Sequence, residues 1–267
     1  MLPDLRDILG ILEEIAPADL AESWDNPGLQ IGSYSQEIKK IFMALDPTLT
    51  ALRTASLRNA QLLLTHHPLI FKPISRVDID IYPGNVLLEA VKNSISVVAA
   101  HTNLDVAQGG INDILADLLN LNNVEVLMQK DEVVGAGLGR IGDLPGPDKL
   151  SAMGNRVKEI IGAAKIRIIG REDTQVKRLA VVGGSGGNLI SLAYKKGADV
   201  LLTGDIGYHH AREAESLGMS LIDGGHFHTE KTAFRVFGEY LKAMIKTQGW
   251  EVGVEVDKDE TDPFNDV

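Results

Sequence analysis

Cysteine is missing from all 267 residues, which excludes disulfide bonds and thiolate chemistry. Any metal ion must therefore be held by imidazole and carboxylate groups. Positive charge is also scarce, since 26 Lys and Arg residues stand against 37 Asp and Glu residues and the formal net charge is −11. This balance argues against a long nucleic-acid contact, which depends on neutralising phosphates. A single nucleotide needs only a local pocket and is not excluded.

Long apolar runs are absent as well. No stretch of the sequence approaches the length that spans a bilayer, and the N-terminus has no basic segment followed by a hydrophobic one. We therefore expect no membrane partner, no signal peptide and a cytoplasmic location.

The hydrophobic pattern predicts an α/β protein with mostly parallel sheets. Strands are predicted at 29–31, 41–45, 62–65, 97–100, 166–169, 179–182, 200–203, 220–222 and 252–256. Helices are predicted at 4–15, 49–59, 86–93, 110–120, 148–161, 188–196, 209–217 and 228–247. Their alternation is typical of βαβ units with helices on both faces of the sheet. The stretch 124–147 is predicted to be a small antiparallel or irregular section.

The two halves of the chain resemble degenerate copies of each other. Residues 60–65 align without gaps on residues 198–203, and the same order of strands, helices and a His-x-x-x-acid segment surrounds each. We therefore predict two pseudo-duplicated lobes, 1–126 and 127–267, with the C-terminal helix packing back on the first lobe. Because open α/β sheets bind ligands at the carboxyl ends of their strands, the metal site is expected in the cleft between the lobes.

All seven histidines lie at the end of a predicted strand or just beyond it. His66 and His67 follow the buried strand 62–65 directly, and adjacent side chains on an extended backbone point in opposite directions. Such a pair suits two metal ions a few ångströms apart, with one imidazole bound to each. The alternative is a pair of surface histidines in a turn that Pro68 closes.

Two His-x-x-x-acid segments provide the other candidate ligands. His226 and Glu230 lie on one face of a helix start, and a carboxylate can bridge two cations; a helix-capping role for Glu230 is the alternative. Asp105 has the same spacing from His101 and is the better candidate ligand there. We expect His101 to be the catalytic residue, as a proton carrier or as a partner that orients a ligand, although ligation by His101 itself stays open.

Substrate contacts are expected from five further residues: Asp25, Ser185, Asp205, His209 and His210. Ser185 lies in the glycine-rich turn 183–187, whose amides could hold a phosphate, although such turns also occur for steric reasons alone. Asp205, His209 and His210 follow the strand 200–203, where the second half corresponds to His66 and His67. The alternative is that these three are polar side chains that face solvent and contact no substrate.

The motifs resemble those of one known family, the Nif-three-like dinuclear metal proteins. The resemblance is carried by SWDNPGL at 23–29, THHPL at 65–69, HTNLD at 101–105, TGD at 203–205 and the segment 225–230. It is collinear over about residues 4–256 and corresponds to the short form of the family, without the domain that longer members insert mid-chain. Asp205 stands where many relatives carry Glu, and His228 adds an imidazole.

The resemblance implies two interlinked α/β lobes, a toroidal homohexamer and metal roles for five residues: His66, His67, Asp105, His226 and Glu230. It also implies that Glu230 bridges the two ions, and it is the only source of the suggestion that GTP is the substrate. Many members of the family are named GTP cyclohydrolase 1 type 2 homologues.

Two functions compete at this point. The first is a metal-dependent hydrolase that opens a ring in a purine nucleotide or a related cyclic amide, because paired metal ions activate water and polarise the attacked group. The second is a non-catalytic metal-binding or ligand-binding protein with a role in regulation or metal handling. Three histidines with two carboxylates and no sulfur fit iron, manganese, zinc or nickel about equally, at two divalent ions per chain.

Overall fold

A computed structural model describes residues 2–130 and 133–265. The described strands are β1 (Gly28–Ile31), β2 (Lys40–Ala44), β3 (Leu62–Thr65), β4 (Ser96–Ala99), β5 (Asn122–Gln129), β6 (Gly137–Lys149), β7 (Arg167–Ile169), β8 (Gln175–Ser185), β9 (Val200–Gly204), β10 (Ser220–Asp223) and β11 (Gly253–Val256). They form two sheets, so the α/β class with two sheets is confirmed.

The described helices are α1 (Leu5–Ile15), α2 (Leu49–Leu57), α3 (Gly84–Lys92), α4 (Thr102–Val106), α5 (Ile111–Leu118), α6 (Leu150–Ile161), α7 (Ile190–Lys195), α8 (Tyr208–Leu217) and α9 (His226–Thr247). The first begins where its sequence dictates, because the Asp4 and Asp7 side chains each accept a hydrogen bond from the other's backbone amide. Within the described residues no helix is both long and apolar enough to cross a membrane.

The first sheet has the strand order β1-β4-β3-β2-β11. Its four strands β4, β3, β2 and β11 run parallel, and β1 adds an antiparallel edge. Every residue of β3 and β4 is buried, which is why these strands read as continuous apolar runs rather than as alternating patterns. One face packs against α2 and α3 through side chains such as Leu52, Leu63 and Val97.

The second sheet has the strand order β5-β6-β8-β9-β10-β7. Its centre, β8-β9-β10, is parallel, whereas β5, β6 and β7 pair antiparallel with their neighbours. The predicted antiparallel section at 124–147 is therefore confirmed as the β5–β6 hairpin, of which Asp131 and Glu132 lie outside the described residues.

The two sheets repeat the same order of elements, which supports the predicted duplication. In the first, β2, β3 and β4 are successive parallel neighbours, and the antiparallel strand β1 pairs with β4. In the second, β8, β9 and β10 are successive parallel neighbours, and the antiparallel strand β7 pairs with β10. One helix joins each successive pair: α2 and α3 in the first sheet, α7 and α8 in the second.

The chain divides into two compact units, each built from two segments. Unit 1 comprises Met1–Leu104 and Phe234–Thr261, and unit 2 comprises Asp105–Ala233 and Asp262–Val267. The chain passes from unit 1 to unit 2 after Leu104, earlier than the predicted boundary at residue 126. The reason is that α5 packs on β6 and β8 of the second sheet. The segment Phe234–Thr261 belongs to unit 1, where β11 pairs with β2.

Candidate metal centre

Three histidines of unit 1 form a cluster at the carboxyl ends of two neighbouring parallel strands. His66 and His67 follow β3, and His101 follows β4 after Ala100. One ring nitrogen of each lies within 4.8 Å of the corresponding nitrogens of the other two. The structure thus brings His101 to the residues that the sequence predicts as ligands.

Hydrogen bonding fixes the orientation of His66. Its Nδ1 lies 2.8 Å from the carbonyl oxygen of Ala100. Because a carbonyl oxygen only accepts, Nδ1 must donate, and the neutral ring then carries its lone pair on Nε2. The side chain is completely buried and packs against Phe234, with ring centroids 5.7 Å apart. The tautomer is therefore the one that ligates through Nε2.

His67 and His101 are oriented by carboxylates. The Nδ1 atom of His67 lies 2.7 Å from Oδ1 of Asp46, and the Nδ1 atom of His101 lies 2.7 Å from Oδ1 of Asp25. Donation from Nδ1 to a carboxylate directs the lone pair to Nε2 and raises its basicity, which is the usual arrangement behind a metal-binding histidine.

Asp25 is held in its ionised form by its surroundings. Its side chain is fully buried, and it accepts hydrogen bonds from His101 and from both the amide and the hydroxyl of Thr102. Burial by itself would raise the pKa of Asp25, but the hydrogen bonds from His101 and Thr102 together hold that pKa at about 2. The carboxylate that the sequence offers as a substrate contact is thus occupied in positioning His101.

In unit 2, His226 lies between two carboxylates. Its Nδ1 is 2.7 Å from Oδ2 of Asp205, and its Nε2 is 3.1 Å from Oε2 of Glu230. An imidazole that donates through Nδ1 turns its Nε2 lone pair towards the Glu230 oxygen, and this contact is repulsive unless a cation stands between the two atoms. A proton on Nε2 or a metal ion can fill that role, so the pair fits a metal.

The glycine-rich turn 183–187 lies against Glu230, and three of its amides are bound by side chains. Gly183, Gly184 and Gly186 donate their N–H groups to the side chains of Asn112, Thr229 and Thr203, respectively. Three of the amides considered for a phosphate are therefore occupied. A Cβ at Gly184 would lie 2.1 Å from Oε1 of Glu230, so glycine is required there by close approach.

Asp105 lies in α4 and is buried. The amide nitrogen of the buried Asn112 side chain donates to the Asp105 carbonyl oxygen at 2.9 Å, while its oxygen accepts from Gly183. Asn112 therefore fixes the backbone of a predicted ligand and the turn beside Glu230 at once.

The remaining predicted site residues lie apart from these contacts. His209 is exposed in the first turn of α8, and Ser185 is exposed at the end of β8. The His210 ring packs on Gly187, where an added Cβ would lie 2.3 Å from Nδ1. His228 faces Asp262, with 3.6 Å between Nε2 and Oδ2. Substrate roles for Ser185, His209 and His210 stay predictions.

Sequence reasoning missed Asp46 and Asn112. A signal for Asp46 was present, because an acidic residue follows the buried strand β2 at the same sheet edge as His67. No comparable pattern marks Asn112, whose partners lie 7 and 71 residues away along the chain.

The comparison with known proteins agrees with the resemblance seen in the motifs. The sequence profile of the family described as Duf34/NIF3 (NGG1p interacting factor 3) matches residues 3–263. The chain belongs to this family. A GTP cyclohydrolase 1 type 2 homolog of Clostridium perfringens is 36% identical over 261 residues, covering 97% of this chain and 98% of the relative.

Two solved structures share the whole fold of this Duf34/NIF3 protein. The Staphylococcus aureus hypothetical protein SA1388 superimposes with a TM-score of 0.94 at 27% identity, covering 100% of both chains. Reduced HcgD from Methanocaldococcus jannaschii has a TM-score of 0.81 at 32% identity, covering 96% of this chain and 98% of HcgD. The similarity to these chains extends over both units of the Duf34/NIF3 protein described here.

Proposed function

We propose that this Duf34/NIF3 protein is a metal-dependent hydrolase in which the five ligands predicted from the sequence, together with His101, would hold two divalent ions. The five are His66, His67, Asp105, His226 and Glu230. The observation that carries the proposal is that four imidazoles are each hydrogen-bonded through the same ring nitrogen, Nδ1. In His66, His67, His101 and His226, Nδ1 is bound to an oxygen 2.7–2.8 Å away, which leaves Nε2 as the ligating atom. An oriented donor set of this kind is expected of a metal site and serves no purpose in a set of surface histidines.

His101 joins the ligand set in this proposal. Its Nδ1 is held by a carboxylate as in His67, and its ring nitrogen lies within the same 4.8 Å cluster. A carboxylate that holds Nδ1 is also the arrangement behind a histidine that transfers protons, so the position of His101 within the cluster is the fact that favours ligation. The proton-transfer role expected from the sequence stays a prediction, which a substitution at His101 decides.

The chemistry follows from the donor types. Bound divalent ions would activate water at neutral pH and polarise the group under attack. Within the chain, Asp46, Asp25 and Asp205 hold three imidazoles in the ligating tautomer, and Gly184 leaves room for the Glu230 carboxylate. The names of relatives suggest hydrolytic opening of a ring in a purine nucleotide such as GTP.

One observation favours a second candidate, a non-catalytic metal-binding protein with a regulatory or metal-handling role. Titratable groups beyond the proposed ligands would favour catalysis if they were available to contact a substrate. In the structure Asp205 is engaged with His226, Asp25 is engaged with His101, and His209 is exposed in the first turn of α8. The positions of these three side chains therefore give no separate argument for catalysis.

The test combines metal content with turnover on one preparation. Protein purified without chelator and reconstituted with iron, manganese, zinc or nickel should saturate at about two ions per chain, and it should release formate from GTP. Saturation at one ion per chain, or no binding at all, overturns the dinuclear assignment. Binding of two ions without ring opening of GTP or other cyclic amides favours the second candidate.

We also propose a homohexamer, for which sedimentation should give six times the mass of one chain.

A further inference from the structure

Two large aromatic side chains of unit 1 are exposed beside the histidine cluster. Trp24 is 57% exposed and Phe71 is 46% exposed. Aromatic rings carry much apolar area, and surfaces that leave such rings together in water are typical of binding sites. No step of the function proposed above uses either ring.

The two rings form a pair that adjoins His101. Their centroids lie 5.7 Å apart with planes inclined at 59°, so the two faces are tilted towards different directions and are not stacked on each other. The Trp24 centroid lies 6.1 Å from that of His101, and the Phe71 centroid lies 6.4 Å from it, both in edge geometry. The pair thus stands next to a proposed metal ligand.

Hydrogen bonds from neighbouring residues hold both segments in place. Asp25, next to Trp24, is fixed to His101 and Thr102. Asn26 donates from its side chain to the carbonyl oxygen of Ile70 at 2.7 Å, and the amide of Ile70, next to Phe71, donates to Gln30 at 3.0 Å. The loops that carry the two rings are therefore tied to each other, so a ligand would meet a preformed surface.

We propose that Trp24 stacks on the planar heteroaromatic ring of the substrate beside His101, and that Phe71, whose plane is inclined at 59° to that of Trp24, contacts the same ring in edge geometry. The inference rests on the proposed function, because the ring to be opened must lie next to the metal ligands. Stacking on an aromatic side chain suits any planar base, since each has a π face. These residues are binding residues that select for planarity and do not take part in proton transfer.

The experiment uses Trp24 as its own reporter. The chain has two tryptophans, so Trp250→Phe leaves Trp24 as the only indole. The metal-reconstituted full-length variant is titrated with GMP, with CMP and with ribose 5-phosphate, which keeps the sugar phosphate but lacks the ring. We expect saturable quenching of the fluorescence by GMP and CMP and none by ribose 5-phosphate. Equal responses to all three, or no saturable response, overturn the inference.

Substitution at Trp24 completes the test, with binding followed by calorimetry in the otherwise unaltered chain. Trp24→Ala should weaken GMP binding at least about fivefold, as loss of one stacking contact implies, whereas Trp24→Phe should retain most of the affinity. Metal content should be unchanged in both variants, because neither side chain is a ligand. Unaltered GMP affinity in Trp24→Ala overturns the proposal.

A second copy of the chain is the competing occupant of this surface, since the same loop exposes Ile74, Val77 and Ile79. Sedimentation of Trp24→Ala separates the two: a smaller assembly with unchanged GMP affinity assigns Trp24 to an interface and overturns ring binding. Failure of the proposed function gives a different result. If the protein binds GMP through Trp24 but holds no metal, the aromatic site stands and the hydrolase proposal fails. If it binds two ions but does not select for the ring, the metal site stands and the aromatic site fails.

Discussion

The Nδ1 atom of His67 lies 2.7 Å from Oδ1 of Asp46, a residue 21 positions earlier in the chain. The contact forms because β2 and β3 are parallel neighbours, so that residues just beyond their carboxyl ends meet at one edge of the sheet. Asp46 therefore determines which nitrogen of His67 is available to a metal ion.

Substitutions at Asp46 should weaken metal binding in a graded order. Asp46→Asn retains an oxygen that can accept from Nδ1 but removes the charge, whereas Asp46→Ala removes both. We expect affinity to fall by about 10–100-fold in Asp46→Ala and by less in Asp46→Asn, measured by competition with a chromophoric chelator. Asp19→Asn removes the same charge at an exposed position and is the control. Equal affinities in all three variants would mean that the Asp46 contact does not prepare His67 for a metal ion.

Replacing His101 separates the two roles that it can have. If His101 is a ligand, His101→Ala should lose at least one of the two bound ions along with any hydrolytic activity. If it transfers protons instead, the protein should keep its metal while the rate falls on the order of a hundredfold. We expect the first result, because one ring nitrogen of His101 lies within 4.8 Å of the corresponding nitrogens of His66 and His67. Metal content and rate must be measured on the same preparation, since only their combination distinguishes the roles.

Most elements could be predicted because their patterns are local. The strand β3 was predicted at its observed bounds, and β9 was predicted to within one residue, since both are unbroken apolar runs bounded by polar residues. The short helix α4, which carries Asp105, was not predicted. Five residues give too short a stretch for a 3.6-residue period to show.

Long-range organisation was less accessible. The amphipathic pattern of α5 predicts a buried face but does not say which sheet covers it, so residues 105–126 were grouped with the first lobe. The candidate ligands were predicted from spacing along the chain. The hydrogen-bond partners Asp46 and Asn112 were not predicted, because they come close to the candidate ligands only when the chain is folded.

Glu230 and His228 lie two residues apart in α9 but have different surroundings. Oε2 of Glu230 faces Nε2 of His226 at 3.1 Å, whereas His228 faces Asp262. Glu230→Gln keeps the shape and removes the charge that offsets the cations, so it should weaken metal binding more than His228→Gln does. Isothermal titration of both variants with the same metal checks this order. Equal losses would show that the helical spacing assigned the wrong residue.

Glycine at position 184 is required by two separate constraints, and a second glycine makes them separable. Gly184 has a φ of +65°, and an added Cβ would lie 2.1 Å from Oε1 of Glu230. Gly218 has a φ of +70°, and an added Cβ there would meet nothing within 4 Å. Alanine at either position should destabilise the fold by about 1 kcal/mol or more, since both backbones are in the left-handed region.

Only Gly184→Ala should also lower metal affinity, because it displaces the Glu230 carboxylate. Thermal unfolding of the metal-free variants measures the shared backbone strain, and metal titration of the folded variants measures the effect on Glu230 alone. A Gly184→Ala protein that binds metal as tightly as Gly218→Ala would place the Glu230 carboxylate outside the metal site. Weaker binding in Gly184→Ala, with similar losses of stability in both, would tie the turn to the metal centre through steric contact and not through its amides.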